Sequence, residues 1–300
     1  MKLAFTGTLP AYLLTQFLDL HVDMVYGSVL QTIYENGYRR YNERTGLQTR
    51  SISGISYRLS LSSYPILQTK YIPFEKVVAE NLWFLSGSRN IEQLRLHTKI
   101  WDDWADVHGN IPSAYGRFWR SFPGFEPQYG EPASQNPVDQ IKYVCDLLKK
   151  EPGSRRGLVL AWHPANATKS YLPPCHFAFQ VLVQSKRLDL ILYQRSADYP
   201  VGVPWNLAGY AIIAGLIAKE VGVKPGFLIH HIGDAHIYEN QFDGVEEHLE
   251  RIRNTSEADL KRVKLILPDK PLSKLSFQDL SDFKLENYDP QPPIKIPVAV

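Results

Sequence analysis

Cysteine is scarce. The 300 residues hold two, Cys145 and Cys175, where a secreted chain of this length stabilised by disulfides carries more, so a reducing compartment, the cytosol, is expected. Charge of one sign is also lacking: 33 Lys and Arg against 31 Asp and Glu leave a net charge of +2. That balance disfavours a broad nucleic-acid-binding face and assigns positive charge to a local pocket. No stretch approaches the roughly 20 uninterrupted apolar residues of a membrane span. The opening MKLAFTGTLPAYLLTQFLDL is interrupted by Thr6, Thr8, Pro10, Gln16 and Asp19 and shows no small-residue cleavage site, so it does not read as a signal peptide. The glycosylation-like triplets at Asn166 and Asn254 then carry no consequence. Both glycine-rich phosphate loops, G-x-G-x-x-G and G-x-x-x-x-G-K-[ST], are absent, so a phosphate would be held by side chains.

What is present is apolar content of 44 %, enough for a sizeable core, with no repeat or low-complexity tract to divide it. His21 to Tyr38 places Val25, Val29 and Ile33 at helical spacing and ends near Gly37. SISGISYRLSL alternates as a strand. FEKVVAENLWFLSG reads as a mostly buried helix stopped by Gly87, and PVDQIKYVCDLLKK as an amphipathic helix with Cys145 in its apolar face. GLVLAWHP, HFAFQVLVQ and RLDLILYQR are strand-like, WNLAGYAIIAGLIAKEVG is a long apolar helix, FLIHHIG a strand and YENQFDGVEEHLERI a helix. Strands and helices mix without regular alternation, which predicts an α+β domain with a mixed sheet flanked by helices.

LPPCH, Leu172 to His176, is the densest chemical signal, because two prolines stiffen the loop that aims a cysteine sulfur. Arginines in SRRG (Arg155, Arg156) and YQRSAD (Arg195) are expected to lower the thiol pKa, although by itself the SRRG pair reads more simply as a solvated turn after Pro152 and Gly153. Arg195 ends an apolar strand, where a half-buried guanidinium is expected to meet an anion. With Arg44 and Ser196 these arginines form a phosphate cradle. Asn206 reads either as a helix N-cap or as a reader of a base edge. Glu80, an acid in VVAENLWFL, is either surface-facing or a buried proton carrier. His230, His231 and His236 lack metal-ligand spacing, and no metal is expected.

Together, ERTG, ENLWFLSG, IWDDWAD, YGRFWR, SRRG, LPPCH, YQRSAD, GVPWN, GDAHIY and the terminal KIPVAV resemble, in order, the thymidylate synthases. The likeness runs from about Asp23 to Val300, leaving residues 1–22 as an N-terminal extension. It implies a homodimer with sheets packed back to back. Cys175 is implied to attack ring carbon 6 of dUMP, with 5,10-methylenetetrahydrofolate as co-substrate. Arg44, Arg195 and Ser196 are implied to hold the phosphate, with Arg155 and Arg156 reaching in from the partner. Asn206 would read the uracil edge, His236 and Tyr238 hold the sugar, and Gln194 and His176 line the pyrimidine site. Glu80 would organise proton transfer, with Tyr115 near the proton leaving ring carbon 5. Trp101, Trp104, Leu172, Asp198, Gly202, Trp205, Val298 and Ala299 would form the folate site, Asp198 also serving catalysis, and Lys70 would meet the folate's glutamate tail.

The chain departs from that pattern. LQTRS follows ERTG in place of T-G-T, and IPSAYG stands for L-G-P-V-Y-G. Trp205 replaces a phenylalanine, Gly209 a serine, and ENQ stands where S-N-H is frequent. These changes keep open a dUMP hydroxymethylase, in which water rather than hydride captures the methylene intermediate; aspartate in place of Asn206 would instead point to a cytidylate. A fold-retaining binding protein without turnover would be expected to lose Cys175 or Glu80 first.

Overall fold

In the computed structural model, which describes residues 20–124 and 136–299, helix α1 spans Val22–Asn36. The expected N-terminal extension lies, but for its last residues, outside the described part, as does Val300. Strands β1 (Tyr38–Asn42) and β2 (Leu47–Ser60) form a hairpin, and helix α2 covers Phe74–Ser86. Its stop is Gly87, at φ 75°, where an added Cβ would also lie 2.8 Å from the Arg120 side chain. Helices α3 (Tyr115–Arg120) and α4 (Gln140–Lys150) precede β3 (Leu158–Leu160), β4 (His176–Gln184) and β5 (Arg187–Asp198). Helix α5 (Gly202–Val221), β6 (Lys224–Tyr238), helix α6 (Phe242–Arg253) and a small β7–β8 pair (Lys264–Ile266, Lys284–Glu286) complete the order.

Strands β1 to β6 make one mixed sheet in the order β1-β2-β6-β5-β4-β3; β5 and β6 run parallel and the other pairs antiparallel. This is the expected α+β class. Period-two alternation gives the sheet two different faces. Tyr57, Leu190, Leu192, Leu228 and Ile232 point into the core, against α1 and the apolar α5. Phe177, Ile191, Tyr193, Phe227 and Ile229, on the other face, stay half-buried.

The structure extends several readings. FLIHHIG continues through GDAHIY, so β6 runs to Tyr238, pairing on one side with β2 (Ser51 opposite His236) and on the other with β5 (Ser196 opposite Asp234). Helix α5 starts at Gly202, so Asn206 is inside it and not its N-cap, which is Val201. Pro204 is tolerated in the first turn, where its missing N–H has no intrahelical partner to lose. Among the described residues no helix is long and apolar enough to cross a membrane.

Candidate active site

The ends of β5 and β6, the start of α5, the β1–β2 hairpin and the loop before β4 meet at one end of the sheet. They enclose a cleft of about 760 Å³, in the range of small-molecule sites. Twelve of the residues expected at the site line it: Arg44, Trp104, Leu172, Cys175, Arg195, Ser196, Asp198, Gly202, His236, Tyr238, Val298 and Ala299.

Cys175 is half-buried on the cleft floor. Pro173 and Pro174 restrict the loop, and the Cys175 N–H donates to the Tyr115 hydroxyl at 2.8 Å. The Arg195 backbone N–H donates to the Cys175 carbonyl at 2.8 Å, and its guanidinium donates to Pro173 O (2.7 Å) and Pro174 O (3.0 Å). The same guanidinium stands 3.7 Å from Cys175 Sγ. Arg195 therefore meets loop carbonyls and the sulfur where an anion was expected, and its remaining donor capacity faces the cleft. The thiol pKa also departs from expectation. Burial pushes it up, and the opposing pull of Arg195 and Arg44 offsets only part of that.

Tyr115, neutral and buried, stacks on His176 with ring centroids 3.8 Å apart. Because its hydroxyl oxygen accepts from Cys175, its own proton is free to be donated. His176 is held neutral, with its pKa pushed down to about 3 by burial and by neighbouring His230, and its Nδ1 meets the Tyr210 hydroxyl at 2.7 Å.

Glu80 is buried, which overturns the surface-facing reading. Its oxygens accept from the indoles of Trp101 and Trp205, each at 2.7 Å. Burial raises its pKa to about 7, against the lowering effect of both indoles. Glu80, His176, Trp205 and Asn206 border a second, much smaller void of about 10 Å³.

Asn206 is oriented from behind. Its Oδ1 accepts from Gln194 Nε2 at 3.2 Å, Gln194 Oε1 accepts from His230 Nε2 at 2.9 Å, and His230 Nδ1 meets the Tyr57 hydroxyl at 2.9 Å. Burial keeps His230 neutral, its pKa down to about 3. That chain leaves the Asn206 amide N–H group free to donate to a carbonyl.

Asp198 has its pKa raised to about 6 by burial, while Gln241 holds both its oxygens, at 3.0 and 3.2 Å. Gln241 also donates to Pro297 O at 2.9 Å and so ties the C-terminal segment over the cleft. His236 Nδ1 lies 3.9 Å from the Asp234 carboxylate.

Three more of the expected residues do not line this cleft, Arg155 and Arg156 having been assigned to the partner's. Lys70 is not at the mouth of the cleft; it is buried and donates to Pro200 O at 2.7 Å, with burial lowering its pKa to about 8. Arg155 and Arg156 are exposed on a turn outside the cleft of their own chain, and Arg156 pairs with Glu151 at 2.9 Å. Sequence reading also missed residues. Arg40 lines the cleft and pairs with Asp234 at 3.4 Å, and the Trp162 ring lies 5.7 Å from the Arg195 guanidinium. Gln241 was visible only as the odd residue of ENQ. Among the described residues no group of three or more His, Cys, Asp or Glu is placed to hold a metal ion.

A cleft cysteine beside an arginine, a buried acid and an amide held in one orientation suit nucleophilic addition to a flat, anionic, carbonyl-bearing substrate. A family model described as thymidylate synthase matches residues 24–300, and the chain belongs to the thymidylate synthase family, enzymes that transfer a one-carbon unit.

Proposed function

We propose that the protein methylates dUMP to dTMP, with 5,10-methylenetetrahydrofolate supplying both the one-carbon unit and the hydride. The observation that carries this reading is the Cys175 sulfur on the cleft floor, 3.7 Å from Arg195 and on the same floor as Ser196 and His236. Arg44, Arg195 and Ser196 take the phosphate; His236 and Tyr238 take the sugar hydroxyl. Asn206 donates its free amide N–H to a uracil carbonyl and accepts the ring N–H. Cys175 adds to ring carbon 6, so carbon 5 becomes the nucleophile toward the methylene carbon. Tyr115, within reach of the same sulfur loop, and Glu80, next to Asn206, serve the proton transfers. Carbon 5 loses its proton as the bond from the methylene carbon to the folate nitrogen breaks, hydride from the released tetrahydrofolate reduces the exocyclic methylene to a methyl group, and the C–S bond breaks as the thiolate leaves.

The folate site is assigned to Trp104, Leu172, Asp198, Gly202, Val298 and Ala299, with Trp101 and Trp205 behind. The Gln241 link from Asp198 to Pro297 supports it, because a tail held over the cleft excludes water from the step that needs hydride. The test is mass spectrometry of the products formed from dUMP and 5,10-methylenetetrahydrofolate, with absorbance followed for dihydrofolate. The expected outcome is dTMP with matching dihydrofolate. Formation of 5-hydroxymethyl-dUMP with the folate left as tetrahydrofolate overturns methylation in favour of hydroxymethylation.

The active form is proposed to be a cytosolic homodimer in which Arg155 and Arg156 complete the partner's phosphate site. Two features support it: the exposed arginines remote from their own cleft, and a sheet face carrying Phe177, Ile191, Tyr193 and Ile229 half-buried. Arg155→Glu and Cys175→Ser homodimers should each be inactive, and mixing them after unfolding and refolding should restore one working site per heterodimer. No recovery in the mixture rejects shared sites.

A further inference from the structure

Burying a carboxylate in the apolar face of a helix is costly unless donors replace its water. Glu80 has Ala79, Leu82, Trp83 and Phe84 buried around it on α2. Its two oxygens are served by two indoles from separate parts of the chain: Trp101 reaches Oε1 from just before the turn Asp102–Trp104, and Trp205 reaches Oε2 from the first turn of α5, each at 2.7 Å. An indole N–H only donates. Neither ring can take the proton of a neutral Glu80, and both bind the carboxylate better than the acid.

Among the described residues the groups facing Glu80 supply no other counterweight. From α5, the Tyr210 hydroxyl is engaged with His176 at 2.7 Å, and from the start of β4 His176 is neutral. Tyr115 stacks on His176 with ring centroids 3.8 Å apart and lies 5.9 Å from the Trp101 ring, but its hydroxyl is engaged by the Cys175 N–H at 2.8 Å. Asn81 donates back to Val77 O at 2.8 Å. The residues bordering the void include no lysine or arginine. Its volume of about 10 Å³ suits about one water. Gly209 keeps that space, since a Cβ there would lie 2.8 Å from Asn81 Nδ2.

We propose that Trp205 is a positioning residue: by clamping the second oxygen of Glu80 it fixes the carboxylate beside Asn206 and sets the pH at which Glu80 exchanges its proton. A phenylalanine at position 205 fills most of the same space and removes the N–H, leaving Oε2 buried without a donor. Glu80 then keeps its proton to higher pH, which agrees with the lowering effect of Trp205 on its present pKa. Trp205 and Asn206 are consecutive, so the clamp also ties the acid to the base-reading amide.

The role of the clamp in turnover rests on the function proposed above; the titration of Glu80 does not. The experiment is a 13C NMR titration of the Glu80 side-chain carboxyl in the ligand-free full chain, its resonance assigned by loss in Glu80→Gln. Trp205→Phe should move the midpoint upward by about one pH unit. The pH limb of kcat should follow, with KM for dUMP unchanged within about twofold. If Trp205→Phe does not fold, 3-benzothienylalanine at position 205, a ring isostere without the N–H, takes its place. An unmoved midpoint in a folded variant overturns the clamp, whatever the product assay gives. A moved midpoint in a chain that makes no dTMP keeps the clamp and rejects the function.

Discussion

Cys145 and Cys175 are both withdrawn from water, yet they have different neighbours. Cys145 lies on the inner face of α4 among Ile141, Val144 and Leu148, and burial, with Glu220 adding to it, pushes its thiol up to about 12. The cations near it, Lys149 and Arg120, counter only weakly; Lys149 is committed to Glu220 at 2.5 Å and Arg120 to Asp139 at 3.0 Å. Cys175 is also raised by burial, but Arg195 and Arg44 pull it down ahead of any acid, and it opens on the cleft. Burial alone therefore does not separate an inert cysteine from a nucleophile. The separation comes from an arginine, Arg195, that among the described residues spends its donors on carbonyls rather than on a carboxylate.

The largest expected effect breaks the pair apart. Cys175→Ser should lower dTMP formation by at least about 10³-fold, whereas Cys145→Ala should leave kcat within about twofold and cost about 1 kcal/mol of stability in denaturant unfolding. Equal losses of activity in the two variants would place the nucleophile elsewhere.

The same contrast marks what was legible in the sequence. Segments whose structure is set locally came through: α2 stops at Gly87, Cys145 falls in the apolar face of α4, and β4 and β5 follow their apolar runs. Strand β1, YRRYN, is mostly exposed and has no alternation to betray it; it exists because β2 pairs with it. Strand β6 outruns Gly233 because β2 and β5 bond to it on both sides. At the site, residue types and order were readable through the family likeness, but the balance of forces was not. The burial of Glu80 depends on indoles 21 and 125 residues away. The thiol of Cys175 was expected to be acidic from its arginines, and the dehydration that outweighs them is a property of the closed loop. Lys70 was assigned to the folate's glutamate tail through the family likeness alone, and its burial against Pro200 O, 130 residues on, is a long-range contact that no local pattern shows.

The smaller effects sharpen the comparison by separating the two arginines at Cys175. Arg195 is half-buried and next to the sulfur, whereas Arg44 is exposed, its guanidinium 5.4 Å from the centre of the Trp104 ring. Salt screens an exposed charge far more than a partly buried one. In alkylation by iodoacetamide, read by peptide mass spectrometry at fixed pH near neutrality, Arg195→Leu should slow Cys175 about tenfold at low and at high salt. Arg44→Ala should slow it no more than about threefold, and that difference should disappear near 0.5 M NaCl. Cys145 should stay unlabelled in every folded variant, since no change at the cleft alters its surroundings. Were Arg44→Ala to match Arg195→Leu, or to keep its effect at high salt, Arg44 would have to reach the sulfur from a less solvated position than the hairpin now gives it. The thiolate would then be governed by the movement of that hairpin, and the contrast between the two cysteines would depend on a mobile arginine rather than on the fixed one that braces the proline loop.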